Sequence, residues 1–186
     1  MDRERVEQGV LMMMEGLGLD LECEGLRETP RRVASMFIDE FFRHMSESPS
    51  DVLTTFFHAD YDEMVAVRAI PFYSICEHHF LPFIGTAAVV YIPKESRIVG
   101  ASKLARAIGI AAGRPQLQER MTSQLADVFM ATLRPHGVLV RLEAEHLCMT
   151  LRGVRKPGSR LVTTSLRGFL KTDEAARSEA LSMIAS

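Results

Sequence analysis

The apolar residues of this chain change their period once, and that change limits what it can fold into. Through about residue 42 they recur every three to four positions, whereas beyond about residue 62 β-branched runs and strict alternation take over. Val6, Val10, Met13, Met14 and Leu17 fall near a 3.6-residue period and end at Gly16 and Gly18, predicting an amphipathic helix with a glycine stop. The Met12-Met13-Met14 run can serve as an adaptable binding surface, but its helical spacing favours plain packing. Thr29 suits an N-cap and Pro30 the first helical position, with Val33, Met36, Phe37, Phe41 and Phe42 as the apolar face that follows. Residues 46–50, with Pro49, break the pattern. An N-terminal helical appendage is expected over residues 1–62.

Residues 64–70 and 86–92 predict strands, each followed directly by a proline. Ser102 opens a helical stretch through Leu104, Ile108 and Ala112, interrupted at Gly113. Pro115 then starts a longer helix carrying Leu117, Met121, Leu125, Val128, Phe129 and Leu133, which Pro135 and Gly137 end. Residues 138–146 alternate, with Val138, Val140, Leu142 and Ala144 on one face. A basic loop, a strand over residues 161–169 and a short helix from Asp173 complete the order. That order predicts an α+β domain over residues 63–186, with helices on one face of a mainly antiparallel sheet.

Composition enters by what it excludes. A net charge of −2 argues against broad attraction to nucleic acid or anionic membrane, and no apolar stretch nears the roughly 18–20 residues of a span. The mixed-charge start lacks a secretory layout, so a cytoplasmic protein is expected. Cys23, Cys76 and Cys148 are odd in number and widely spaced, a poor disulfide framework.

The chemistry concentrates at Cys76-Glu77-His78-His79. Cys76 and His79 are three apart, so a turn can bring both onto one ion where an extended strand cannot. Downstream, His146 and Cys148 are two apart at the end of a predicted strand and share a face. Thiolate and imidazole are zinc's preferred donors, and a Cys-His-Cys set leaves one tetrahedral position for water. Spacing alone leaves a buried polar cluster as an equal alternative. It also allows His78 or His146 to close the shell and make the metal structural.

The run from Cys76 through Phe80-Leu81-Pro82-Phe83-Ile84-Gly85 resembles the metal-site segment of GTP cyclohydrolase I. Three further blocks match that family in order: Ser102-Lys103-Leu104-Ala105-Arg106, Arg114-Pro115-Gln116-Leu117-Gln118-Glu119-Arg120, and the stretch from Glu145-His146-Leu147-Cys148 to Arg152-Gly153-Val154-Arg155. The similarity runs from about Thr29 to the C-terminal helix.

The resemblance implies that Cys76, His79 and Cys148 are zinc ligands, that His78 is the catalytic histidine, and that His146 stands beside the metal. It implies that Glu119 anchors the guanine edge with Gln118 beside it, and that Ser102, Lys103, Arg106, Arg152 and Arg32 line the ribose and triphosphate pocket. Zinc brings a bound water's pKa to about 7; His78 would protonate N7 as water adds at C8, and His146 and Ser102 would assist the later proton transfers. The family's tunnelling fold, and a homodecamer of two pentamers with interfacial sites, follow as expectations from the same resemblance.

Standing alone, Glu119-Arg120 reads as an exposed pair at a helix start, and Arg152, Arg155 and Lys156 as a solvated loop. Thr86, Ser35, Ala101 and Gly113 depart from common family residues and bear on triphosphate affinity rather than on the reaction. Two other functions keep the same fold: a zinc-stabilised ring that binds a guanine or pterin nucleotide without turnover, and a relative with different catalytic groups such as a cysteine nucleophile. The adjacent His78-His79 pair and Glu119 favour hydrolysis of GTP.

Overall fold

The computed structural model of this protein describes residues 1–185. The chain packs as two units, Met1–Met45 and a second from Ser46 onward. The first unit is helical. Its α1 (Arg3–Gly16) is capped by the Asp2 carboxylate, which accepts from Arg5 N, and it ends before Gly18 at φ +70°. After the single turn α2 (Glu24–Arg27), α3 (Thr29–Ser35) takes Pro30 into its first turn, where no N–H is needed. Glu28, rather than Thr29, occupies the cap position. The helix then widens into a π-helical segment over Met36–Phe41. Arg3 ties α1 to the end of α3 and to this segment, donating to Ser35 Oγ at 2.9 Å and to Asp39 at 2.6 Å.

The second unit opens with a 3₁₀ turn at Pro49–Val52. Its elements are β1 (Phe56–His58), β2 (Val65–Cys76), β3 (Pro82–Ile92), β4 (Arg97–Val99), α4 (Ala101–Ala112), β5 (Pro115–Gln116), α5 (Gln118–Leu133), β6 (Gly137–His146), α6 (Leu147–Thr150), β7 (Leu161–Gly168), α7 (Phe169–Thr172) and α8 (Glu174–Met183). β1 and β4 form a small ribbon, while the main sheet runs β5-β2-β3-β6-β7. All its pairings are antiparallel except the short parallel contact of β5 with β2, at Ile75–Pro115 and Cys76–Gln116.

Strand alternation divides the core. Ala87, Val89, Tyr91, Val138, Val140, Leu142 and Ala144 meet Leu104 and Ile108 of α4 and Met121, Leu125 and Phe129 of α5 on one face. Each large side chain buried there contributes roughly 1.5–3 kcal/mol relative to exposure. Ala88, Val90 and Leu139 point the other way, against Leu170, Ala176, Ala180 and Ile184.

The α+β reading holds, with three differences. Helices lie on both faces, since α7 and α8 carry the residues that cover the second. Pro115 begins a strand instead of a helix: its pairing with Ile75 draws the chain onto the sheet edge before α5 can start. And β2 runs through Pro71 to Cys76 instead of stopping. At Pro71 β2 pairs with β3 alone, because β5 reaches only Ile75 and Cys76, and a proline is tolerated on such an edge. Among the described residues no helix is long and apolar enough to cross a membrane.

Candidate metal centre and active site

Cys76 is the last residue of β2 and lies next to the sheet edge, 4% exposed. The chain turns over Glu77, His78 and His79 before re-entering the sheet at Pro82. Phe80 takes φ +53° to close that turn, its N–H donating to Cys76 O at 2.9 Å while Cys76 N donates to Leu81 O at 2.9 Å. From outside, Glu77 N donates to Gln116 O at 3.1 Å. Arg120, one turn into α5, donates to the Glu77 carboxylate and, at 3.3 Å, to Gln116 Oε1. The Arg120 hydrogen bond holds the Glu77 carboxyl below the usual carboxylate range. The loop is therefore fixed by β5 and α5 as well as by its own strand.

On the neighbouring strand, His146 ends β6 opposite Phe83, and Cys148 sits in the one-turn α6 that follows. The sequence placed His146 and Cys148 on one face of a strand; a strand-to-helix turn brings them together instead. Donor atoms of Cys76, His146 and Cys148 all lie within 4.8 Å of one another. A tetrahedral zinc ion with bonds near 2.3 Å to sulfur and 2.0–2.1 Å to nitrogen holds such donors about 3.5–3.8 Å apart. The group therefore needs to contract by at most about an ångström, and its donor types suit zinc. Burial pushes the Cys148 thiol up in pKa, with Cys76 beside it adding to the effect. A cation between them would reverse that cost.

The other histidines are differently placed. His78 is exposed, with Nδ1 3.7 Å from Cys76 Sγ. His79 lies outside the three-residue group: its Nε2 is 3.2 Å from Arg152 Nη1, and arginine can only donate, so that nitrogen accepts. His146 is 8% exposed and stacks on Phe83, centroids 4.5 Å apart and planes 4° from parallel. Burial lowers its pKa, and the Glu119 charge partly opposes the shift, which puts that carboxylate within electrostatic reach of the cluster.

Gln118, the first residue of α5, is 1% exposed, and its Oε1 is 2.9 Å from His146 Nε2. Ser102, Lys103 and Arg106 stand on the first half of α4, at the opposite end from Ala112, whose carbonyl accepts from Ser74 near Cys76. Ten residues of helix separate Ser102 from that end, roughly 15 Å. Within one chain these residues are not gathered at the cysteines. Arg32 lies exposed on α3 of the first unit. The sequence reading missed the Arg120 clamp on Glu77 and the Phe83 stack; the Gln116/Arg120 spacing of four hinted at the first, and nothing local at the second.

Two thiols and an imidazole converging at the ends of two sheet strands define a candidate zinc centre in an α+β protein. Comparison narrows that class. A family model for GTP cyclohydrolase I matches residues 6–185. GTP cyclohydrolase 1 of Bacillus cytotoxicus is 53% identical over 98% of this chain and 96% of its own, and that of Halalkalibacterium halodurans 51% identical over 98% and 97%. Among solved structures, an archaeosine synthase QueF-like protein in the apo form aligns with a TM-score of 0.48 at 16% identity, over 59% of this chain and 97% of that one. The chain belongs to the GTP cyclohydrolase I family, whose members hydrolyse GTP.

Proposed function

We propose that this chain opens the imidazole ring of GTP by hydrolysis at C8 and rearranges the product to 7,8-dihydroneopterin triphosphate, releasing formate. The observation that carries this reading is the convergence of Cys76 and Cys148 with His146, beside His78, in a chain of that family. Cys76 and Cys148 would hold zinc, with His79 as the third ligand once it leaves Arg152. When bound, zinc supplies the Lewis acidity that makes water a nucleophile near neutral pH.

The protein's own groups do the rest. His78, at the edge of the cluster and open to solvent, donates a proton to N7, a task suited to an imidazole. Glu119 accepts from the guanine N1–H and exocyclic amine, a pair of donors that adenine lacks. Gln118 lies beside it. Lys103, Arg106 and Arg152 neutralise the triphosphate, the guanidinium groups by paired hydrogen bonds. His146 and Ser102 assist the proton transfers of the sugar rearrangement.

The separation of Ser102 from the cysteines along α4 supports a site shared between copies. We accordingly assign the chain to a cytoplasmic homo-oligomer, a decamer of two pentamers. The tunnelling-fold catalytic domain would take the second unit, from Ser46 onward, with the helical Met1–Met45 as its appendage, a boundary earlier than the 62/63 expected from the sequence.

The test is direct: zinc-loaded protein incubated with GTP yields formate and a dihydropterin chromophore. Absence of both, with metal and assembly intact, would favour a ring that binds the nucleotide without turnover.

A further inference from the structure

Gln118 presents a hydrogen-bonding problem with one solution. Its side-chain nitrogen lies 3.2 Å from Leu142 O, 3.0 Å from Leu161 O and 3.1 Å from Thr163 Oγ1. Two of these are backbone carbonyls, which only accept, so the amide must present its NH₂ there; turned over, its oxygen would face two other oxygens. Thr163 is itself held, its hydroxyl 2.6 Å from that of Thr122, whose own Oγ1 lies 2.6 Å from Gln118 O. With the NH₂ committed, Oε1 is what meets His146 Nε2 at 2.9 Å. An amide oxygen cannot donate, so Nε2 carries the hydrogen. In the neutral ring the lone pair then resides on Nδ1 alone. The Phe83 stack fixes the plane of the same ring.

We infer that Gln118 is a positioning residue: anchored by Leu142, Leu161 and Thr163, it locks His146 as the Nε2–H tautomer and leaves Nδ1 as that histidine's only accepting atom. The Gln118 side chain, engaged at both ends, thus acts through His146. His146 then enters the chemistry as an acceptor through Nδ1, which separates its task from the proton donation given to His78. Buried polar partners of this kind orient functional histidines wherever one ring nitrogen must be left free.

The part concerning turnover rests on the GTP hydrolase reading; the tautomer does not. The experiment is magic-angle-spinning NMR of the sedimented zinc-loaded enzyme carrying ¹⁵N-histidine, with the His146 signals assigned by difference from His146→Gln. Protonated Nε2 with bare Nδ1 is expected, and protonated Nδ1 would overturn the inference whether or not the enzyme turns over.

Kinetics then test the role. Gln118→Met is expected to lower kcat about 10–100-fold while KM changes less than about threefold. A raised KM with kcat unchanged would make Gln118 a substrate contact and sink the proposal. Should Gln118→Met fail to fold, Thr163→Val, which removes one anchor away from the ring and leaves the Leu142 and Leu161 carbonyls in place, is expected to keep His146 Nε2 protonated. Loss of the Nε2 proton in that variant would contradict the anchoring by the two carbonyls.

Discussion

His78 and Cys148 are close to the same thiol but are expected to fail differently when removed. His78 is exposed at the turn, with its ring beside Cys76 rather than within the group of converging donors. His78→Ala should therefore retain zinc and lose turnover by about 10²–10⁴-fold, the usual range for a proton donor. Cys148→Ala removes one of two sulfurs and should release the metal itself. Metal analysis beside a formate assay separates the two, and equal zinc loss in both variants would erase the division between ligand and acid. The pair of cysteines was legible in the sequence as candidate ligands, but spacing alone left a buried polar cluster equally open, and the family resemblance made the choice. The tasks of the three histidines were harder, since each depends on a neighbour distant in sequence: Arg152 for His79, Gln118 for His146, Cys76 for His78.

At the level of elements, the site depends on how closely β3 approaches β6. Their register pairs Phe83 with His146 and Gly85 with Ala144. A Cβ on Gly85 would stand 2.0 Å from Glu143 O and 2.6 Å from Ala144 Cα, both main-chain atoms that cannot step aside alone. Gly85→Ala should therefore push the strands apart next to the Phe83–His146 stack, at a cost of about 1–3 kcal/mol. Denaturant unfolding would register the loss, and unchanged stability would mean that the strands separate freely there. Strands β6 and β7 and helix α8 were legible from apolar alternation and from Asp173, whose side chain does accept from Ala176 N. Pro115 misled because a proline before a helical pattern reads as a helix start, while its pairing with Ile75 is long-range. Placing α8 on the second sheet face likewise required tertiary contacts that the local period of α8 does not encode.

For the whole molecule, the main sheet ends in β7 on one side and, on the other, in β2 with β5 covering only its last two residues. Such edges invite pairing with another chain unless something covers them. Together with Ser102 standing far along α4 from the cysteines, this favours an active form made of several copies. Light scattering on catalytically competent protein should give a mass many times that of one chain, whereas an active monomer would refute the shared site.

Everything proposed for the reaction depends on a divalent ion held by two sulfurs and a single imidazole, with one position left to solvent. Zinc-edge X-ray absorption of the loaded enzyme measures that shell. Two sulfurs near 2.3 Å, one imidazole and one further oxygen near 2.0–2.1 Å are predicted. Two imidazoles closing the shell with the two sulfurs, and no oxygen, would contradict the account.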